Sequence, residues 1–384
     1  MAVQAMNMTT LEPISGAVTG NVAGASFRFV ADDPDLLAYA GRHLAPLVSE
    51  EGVTTDVDAC LFWHEVPPPA AEARDARLAE MERWDRDLYV GPGRLAWFRI
   101  DACRDLHLRV EWDGKRLRVR GDYYFYLSRN RVRDHAKRWW YGARLRERRA
   151  KRYTTLLYYL VYYPAFWWNE TVRGRHPIHA AGVVTDRGAV VLAGPSGVGK
   201  STLSVALAAT QGAFLSETFL LHRGTEVWPV REPILLDGFS RNWLGDAMAG
   251  LEPLGRDFVF GRHGYHRLAG LAERGNTAVL LVPRRAPQTY LRPIAPVEAH
   301  RRISASGQLI RDQRRYAAFA AALEALAARG LIEQRELELR RLAEGASCFE
   351  FGLGPGLTRE AAVAMVRELL DERAGGRLQR AQGS

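Results

Sequence analysis

A glycine-rich octapeptide at residues 194–201 constrains this chain more than any other feature. Its letters, GPSGVGKS, match the pattern G-x-x-x-x-G-K-[ST] at every fixed position. The residues before it, AVVLA at 189–193, are apolar and predict a buried strand, while residues 202–210 predict a helix. We therefore expect an α/β domain in which this octapeptide joins a strand to a helix.

The residue types of the octapeptide fit the binding of a polyphosphate. Its glycines let backbone N–H groups turn toward phosphate oxygens, and the N-terminus of the following helix adds partial positive charge. Lys200 adds a full positive charge, and the Ser201 hydroxyl is placed to hold Mg²⁺. Thr202 is expected to pack or cap rather than to bind metal. The predicted nucleotide-binding residues are Gly194, Pro195, Ser196, Gly197, Val198, Gly199, Lys200, Ser201 and Thr202.

Two flanking motifs restrict the type of reaction that this chain is expected to catalyse. IHAA at residues 178–181 precedes the octapeptide, and LSE at residues 215–217 follows the predicted helix. Together the three motifs resemble the HPr kinase/phosphorylase family, whose phosphate loop lies in a fold similar to that of phosphoenolpyruvate carboxykinase. The resemblance covers residues 176–237 well and continues loosely to about residue 373.

The resemblance implies ATP and Mg²⁺ as cofactors and a role for each charged residue of the site. Lys200 and the loop amides would hold the β and γ phosphates, and Ser201 with Glu217 would hold Mg²⁺. Glu217 is the candidate to take the proton of the acceptor hydroxyl, and His179 would lie beside the γ-phosphate. The expected catalytic residues are therefore Glu217, His179 and Lys200, and the expected partner is a protein or peptide phosphoacceptor.

The family's acidic pair differs in this chain. Family members usually carry two adjacent aspartates where the chain has Glu217-Thr218. Three functions therefore stay open: a kinase acting on a serine or other hydroxyl of a small protein or peptide, a regulator that binds ATP but has lost transfer chemistry, and a small-molecule kinase. The sequence lacks the LSGGQ-like signature of transport ATPases and the N-K-x-D motif of GTPases. Arg231 is either a contact for a phosphate or a phosphoacceptor, as the resemblance implies, or a surface arginine. Asp237 is a further candidate acid.

Length and composition predict two domains. The chain has 384 residues, of which 47% are hydrophobic, which is enough to fill two cores. Residues 25–128 predict an α+β N-terminal domain with a helix at 35–47 and a hairpin turn at Asp113-Gly114. Residues 171–373 predict an α/β P-loop kinase domain of the HPr kinase and phosphoenolpyruvate carboxykinase-like type. The remaining segments are expected to be a flexible arm at 1–24, a basic and aromatic helical connector at 129–170, and a disordered tail at 374–384.

Elements downstream of the octapeptide are predicted from local patterns. Strands are expected at residues 226–230, 277–283 and 292–294. The glycine-rich, aromatic residues 239–271 predict a mobile loop on the substrate side. An alanine-rich helix is expected at residues 308–328 with Gly330 as its stop signal, and a last helix is expected at 358–373.

Positive charge is concentrated in one segment. Residues 129–152 hold eleven Lys and Arg against two acids, which accounts for the whole net charge of +9. Residues 153–168 are then apolar or aromatic except for two threonines and Pro164, and this run is shorter than the roughly 20 residues of a membrane span. A packed helix with a solvated basic face, a surface on anionic lipid, and a docking face for an acidic peptide or nucleic acid are the alternatives. The packed helix is the favoured interpretation. Peripheral membrane contact stays open but is not favoured, and a nucleic-acid partner is disfavoured because the rest of the chain is near neutral.

Cysteine spacing and the N-terminus bear on location. Cys60, Cys103 and Cys348 are far apart and form no C-x-x-C motif, which fits a reducing compartment. The first residues lack a basic stretch followed by an apolar one, so no secretion signal is expected. A cytoplasmic protein is therefore predicted, and assembly into a homo-oligomer stays open.

Overall fold

Contacts between residues divide the chain into two compact units. The computed structural model describes residues 16–48, 55–69, 78, 80–100, 103–142, 144–256, 264–268 and 270–382. One unit comprises Met1–Gly20 and Ser26–Val161, and the other comprises Asn21–Ala25 and Tyr162–Ser384. The division falls inside residues 129–170, the segment that its composition sets apart as a connector. Both units mix helices with a mixed sheet, as an α+β or α/β chain should.

An eight-stranded sheet forms the first unit. Its strands are β1 (Val18–Val22), β2 (Ala25–Ala31), β3 (Val57–His64), β4 (Glu82–Asp85), β5 (Leu88–Gly91), β6 (Arg94–Trp97), β7 (Leu106–Trp112) and β8 (Leu117–Tyr124). The spatial order is β1-β2-β3-β8-β7-β6-β5-β4. Strands β2, β3 and β8 run parallel, whereas β4 to β8 form antiparallel pairs. The predicted hairpin at Asp113-Gly114 is confirmed, with Gly114 at φ +93°.

Two helices of the first unit begin at the capping residues Asp33 and Asn130. Helix α1 (Pro34–His43) starts after Asp33, whose Oδ1 accepts a hydrogen bond from Leu36 N at 2.7 Å. A 3₁₀ turn (Ala45–Leu47) follows, so the helix predicted at 35–47 is confirmed in two pieces. Helices α2 (Arg131–Tyr141) and α3 (Arg144–Leu157) carry the basic segment, and a π-helical turn (Tyr158–Tyr162) follows α3.

A nine-stranded sheet dominates the second unit. Its strands are β9 (His176–Ile178), β10 (Ala180–Thr185), β11 (Gly188–Ala193), β12 (Gly212–Ser216), β13 (Leu220–Arg223), β14 (Glu226–Pro229), β18 (Gly275–Arg285), β19 (Tyr290–Pro293) and β20 (Ser347–Leu353). The main order is β12-β10-β11-β18-β14-β13-β9, and β20 pairs with both β18 and β19. Strands β11, β18 and β20 are parallel. A second, three-stranded sheet has the order β15-β17-β16, from β15 (Ile234–Leu236), β16 (Leu251–Arg256) and β17 (Gly264–Leu268).

Helices cover both faces of the nine-stranded sheet. They are α4 (Tyr163–Trp168) with a π-helical turn (Asn169–Arg173), α5 (Lys200–Gln211), α6 (Gly238–Leu244) with a 3₁₀ turn (Gly245–Gly250), α7 (Pro296–Leu309), α8 (Arg311–Ala327), α9 (Leu331–Gly345) and α10 (Arg359–Gln382). Val190 and Leu192 of β11 pack in one core cluster with residues of α5 and α10. The alternate residue Val191 packs in a second cluster with α7 and α9, as the period of two along a strand requires. The predicted strand and helix around the octapeptide are thus confirmed.

Four expectations about local structure are corrected. Residues 1–15 lie outside the described residues, but the arm expected to reach residue 24 instead enters β1 at Val18 and turns at Ala23-Gly24, both at positive φ. The loop expected at 239–271 contains α6, the 3₁₀ turn, β16 and β17, because Leu251 and Leu268 are buried in the core; residues 257–263 and 269 lie outside the described part. The disordered tail expected at 374–384 is helical to Gln382, since this segment is rich in good helix formers.

The alanine-rich helix expected at 308–328 is confirmed as α8, and the fourth correction concerns its ends. It is separated from α7 at Ile310 and is followed by α9, which the sequence patterns did not predict. Ala328 takes the left-handed conformation that ends α8, at φ +46°. Gly330, expected as a stop signal, caps the start of α9 instead, at φ +64°. Glycine's tolerance of positive φ serves either end of a helix, so the residue alone could not distinguish the two.

The aromatic run at residues 153–168 is packed inside protein. Tyr153 and Leu156 are buried within the first unit, and Phe166 and Trp167 are buried within the second. Phe166 lies 5.4 Å from Tyr316 and 5.3 Å from Phe219 between ring centroids. Across the described residues, no helix combines the length and the apolar character that crossing a bilayer requires.

Candidate functional site

The octapeptide forms a turn between β11 and α5. Gly197 and Gly199 have φ values of +76° and +101°, which residues with a side chain rarely adopt. Gly199 precedes the first residue of α5, and its carbonyl accepts the bond from Leu203 N at 2.9 Å. Residues 195–197 are exposed, so the concave side of the turn is open to a ligand. This is the geometry in which backbone N–H groups and a helix N-terminus face an anion.

Lys200 is held against the turn that it follows. Its Nζ donates hydrogen bonds to the carbonyls of Gly194 and Pro195, each at 2.8 Å. The residue is 6% exposed. Burial lowers the pKa of Lys200 to about 8, and the opposing attraction of Glu217 only partly offsets this. Phosphate oxygens would supply the counter-charge that this ammonium lacks.

Glu217 lies directly after β12, beside the start of α5. Its Oε2 accepts a hydrogen bond from Leu235 N at 2.7 Å, and the Ser201 hydroxyl donates a second one. Burial raises the pKa of Glu217 to about 8, and the nearby carboxylate of Glu232 adds to the rise. The structure thus brings Lys200, Ser201 and Glu217 together, and burial favours the protonated form of Glu217 while no ligand is bound.

Glu232 is a site residue that the sequence patterns did not predict. The segment that holds it is tied to β12 at two points, by Ser216 Oγ donating to Val230 O at 2.6 Å and by the bond from Leu235 to Glu217. Glu232 lies between these points and is 8% exposed. The available signal was an acid in an otherwise apolar segment, PVREPILL at residues 229–236, because a buried acid in such a segment requires a partner or a function.

His179, between β9 and β10, is a neighbour of Lys200. Burial lowers the pKa of His179 to about 3, and the positive charge of Lys200 lowers it further. Its ring meets the ring of Phe219 edge-on at 5.5 Å. Within the described residues its Nδ1 has no hydrogen-bond partner. His179 is therefore neutral at physiological pH and has a free ring nitrogen close to the lysine.

Arg285 adds a second cation at the loop. It ends β18, which runs parallel to β11, and its Nη2 donates to Gly197 O at 3.2 Å. The carboxyl ends of parallel strands meet at one edge of a sheet, which is where such folds bind ligands. The pair Arg284-Arg285 after a predicted strand was the signal for this contact, but finding it required knowing which strands are neighbours.

The remaining predicted residues have other partners. Thr202 donates to Ser240 Oγ at 3.0 Å, which fits packing rather than metal binding. Asp237 caps α6, its Oδ1 accepting from Ser240 N at 2.7 Å. Arg231 is half-buried, and among the described residues its Nε has no partner.

The donor set beside the turn fits Mg²⁺ better than a softer metal. Nowhere in the described ranges do three or more His, Cys, Asp or Glu side chains form a group that could hold a metal ion. Mg²⁺ needs fewer protein ligands, since it is commonly bound by one or two carboxylates together with substrate phosphates. The Ser201 hydroxyl and the Glu217 carboxyl would meet that need once the charge of the cation had ionised the carboxyl.

Comparison with known proteins assigns no family. No family model matches the chain, and no curated protein is significantly similar to it. The function is therefore inferred from the residues around the turn between β11 and α5 and from their charges.

Proposed function

We propose that this protein is an ATP-dependent kinase that transfers the γ-phosphate to a serine or other hydroxyl of a small protein or peptide. The observation that carries the proposal is the buried Glu217 carboxyl bonded to Ser201 beside Lys200. A glycine-rich turn with a lysine requires only an anion as its ligand. A buried acid at the same place adds a group that can hold a metal ion or accept a proton, and phosphoryl transfer uses both.

Charge neutralisation of the phosphates is assigned to the loop and its cations. The N–H groups of residues 194–199 and the N-terminus of α5 would face the β and γ phosphates. Lys200 would exchange its two carbonyl partners for phosphate oxygens, which are stronger acceptors because they are charged. Arg285, which bonds the loop at Gly197 O, would contact the outermost phosphate. When bound, Mg²⁺ would neutralise further phosphate charge, held by Ser201 and Glu217.

Proton removal from the acceptor hydroxyl is assigned to the pair of glutamates. Glu232 provides a second carboxylate near Glu217, although the residue after Glu217 is Thr218 where the resembled family has an aspartate. A pKa of about 8 matches Glu217 to proton transfer near neutral pH, where the ionised fraction of the carboxyl can take the proton of the acceptor hydroxyl. His179 is neutral and can only orient or accept a hydrogen bond.

A regulator that binds ATP without transferring phosphate is the second candidate. One observation favours it: a carboxyl that keeps its proton at neutral pH is a poor general base. We place either function in the cytoplasm, because Cys60, Cys103 and Cys348 are far apart in sequence and form no C-x-x-C motif, which fits a reducing compartment.

Labelled ATP tests the proposal directly. Purified full-length protein is incubated with Mg²⁺, γ-labelled ATP and a library of serine-containing peptides, and label in peptide or in free phosphate is measured. We expect turnover in the wild type and a loss of roughly 10² to 10⁴ in Glu217→Gln, the range for a positioned acid-base group. Glu344→Gln, an exposed glutamate of α9, is the matched control and should leave turnover unchanged.

Two other outcomes decide between the candidates. ATP binding with no turnover in any mixture identifies a regulator, and Thr218→Asp should then be tested for gained activity. Wild-type turnover that survives Glu217→Gln removes this residue from the chemistry. Label found only in small hydroxyl compounds would instead identify a small-molecule kinase.

A further inference from the structure

Helix α2 presents large apolar side chains to solvent. None of its residues is buried. Val132, Trp139 and Trp140 are 80%, 81% and 80% exposed. Tryptophan is rarely left this open on a protein surface, because it removes a large apolar area from water when it packs. A valine and two tryptophans this exposed on one short helix require an explanation, and the proposed kinase site does not supply one.

Helix α2 turns its polar face, not its apolar face, toward the rest of the first unit. Its polar side holds it to the unit: Asp134 Oδ1 accepts from Leu127 N and Ser128 N at 2.6 and 2.9 Å. Arg138, on the same side, donates to Phe125 O at 3.0 Å. Val132, Ala136 and Trp139 follow the spacing of one helical face and are exposed, and Trp140 lies beside them. An amphipathic helix normally turns its apolar face inward, so this face is built to contact something outside the chain.

Basic residues border the apolar face. Arg131 and Arg133 are exposed, and in the described part of the chain no acidic side chain forms an ion pair with either of them. Arg144 and Arg148, at the start of α3, continue the positive charge. Tryptophan beside unpaired arginine is the composition of helices that lie in the headgroup region of anionic membranes.

We propose that α2 binds an anionic lipid surface, lying parallel to it with Val132, Trp139 and Trp140 inserted among the headgroups. The charge of the bordering arginines is complementary to such a surface. The shape also favours a membrane over a peptide, because the two tryptophans project outward. The groove beside α2 is lined on the side of the helix by polar residues, including Arg131 and Asp134, and on the other side by residues 65–67; neither tryptophan lines it.

Vesicle sedimentation tests this proposal without reference to kinase activity. The full chain is mixed with phosphatidylcholine vesicles that contain either no or about 30% phosphatidylglycerol, and bound protein is measured after centrifugation. We expect binding to the anionic vesicles that weakens as salt is added. Replacing both tryptophans (Trp139→Ala with Trp140→Ala) should lower the partition coefficient at least about tenfold, since a buried aromatic side chain contributes a large apolar area. Replacing both arginines (Arg131→Gln with Arg133→Gln) should lower it about fivefold per residue.

Trp84→Ala is the matched control. Trp84 is 54% exposed on β4, so the change removes an exposed tryptophan without touching α2, and vesicle binding should not change. Circular dichroism should show all variants folded, because the replaced side chains are exposed. The proposal would be overturned if the wild type did not bind anionic vesicles, or if it bound neutral vesicles equally well. It would also be overturned if Trp84→Ala lost as much vesicle binding as the double tryptophan variant. So would a wild-type dimer in sedimentation velocity that the double tryptophan variant converts to a monomer without any vesicle binding, since the face would then join two copies.

Discussion

Replacing Glu217 with glutamine is predicted to stabilise the ligand-free protein at neutral pH. Glu217 is 8% exposed, and burial raises its pKa to about 8, with a contribution from Glu232. Glutamine has nearly the same size, and its oxygen can still accept the bond from Leu235 N that measures 2.7 Å. The substitution therefore removes the ionisable group while keeping the packing and the hydrogen bond.

The size of the effect follows from the difference between the folded and unfolded pKa. The ordinary pKa of a glutamate is 4.5, so between that value and about 8 the unfolded chain ionises Glu217 while the folded protein keeps its proton. The folded state then binds more protons, and the free energy of unfolding falls as pH rises through this window. One proton corresponds to about 1.4 kcal/mol per pH unit, so the wild type should lose roughly 2.5 kcal/mol between about pH 5 and pH 7 through this group.

Denaturant unfolding across that pH range is the assay. Other titrating groups contribute equally to both proteins, so the quantity of interest is the free energy of unfolding of Glu217→Gln minus that of the wild type. We expect this difference to grow with pH toward about 2 to 3 kcal/mol. Glu344→Gln should show no such trend. Parallel curves for wild type and Glu217→Gln, or a glutamine variant that is less stable at every pH, would refute the reasoning and indicate an ionised carboxylate paired with Lys200.

Two further stability changes follow from the second unit. Gly199→Ala should lower the free energy of unfolding by about 1 to 2 kcal/mol, because Gly199 has φ +101°. Gly238→Ala is the control: this glycine lies in a helix with open space around it, so the change should be neutral or stabilising. Glu170→Gln should lower the free energy of unfolding by about 3 to 5 kcal/mol, because Glu170 is 2% exposed and the change leaves Arg335 without its counter-charge. Burial raises the pKa of Glu170, but the ion pair with Arg335 outweighs it and holds that pKa below its usual value. The contribution of Glu170 should therefore be lost only as pH falls below about 4.5.

The turn between β11 and α5 could be predicted from sequence because its signals are local. A buried strand, glycines at positive φ and a helix beginning at Lys200 all depend on residues within a few positions of one another. Gly197 and Gly199 take φ values that only glycine adopts freely. The glycines of the motif are therefore the residues that the backbone of this turn requires.

The rest of the site depends on strand pairing and could not be predicted in this way. Glu232 approaches Glu217 only because β13 and β14 form a hairpin that returns the chain to β12, where Ser216 bonds Val230. Arg285 reaches the loop because β18 is the parallel neighbour of β11. No local pattern tells which strands lie side by side in a sheet. The sequence predicted a strand close to each of these two residues, but not the strand that each of them would face.

The inward face of helix α2 also could not be predicted from the sequence. Its high positive charge and its tryptophans were visible in the sequence, and a packed helix was the favoured interpretation. Periodicity alone distinguishes an apolar face from a polar one but does not tell which face is turned inward. The anchoring bonds of Asp134 and Arg138 decide that question, and they place the apolar face outside.

Nucleotide binding at Lys200 is the measurement that tests the central claim most directly. Thermal or denaturant unfolding of the wild type and of Lys200→Ala is recorded with and without ATP and Mg²⁺, and each shift is taken from that protein's own ligand-free value. A ligand at about 100 times its Kd adds about 2.7 kcal/mol to the free energy of unfolding, so the wild type should shift by that amount and Lys200→Ala should lose most of it. Equal shifts in the two proteins, or no shift in the wild type at saturating nucleotide, would contradict the assignment of this loop as the ATP site.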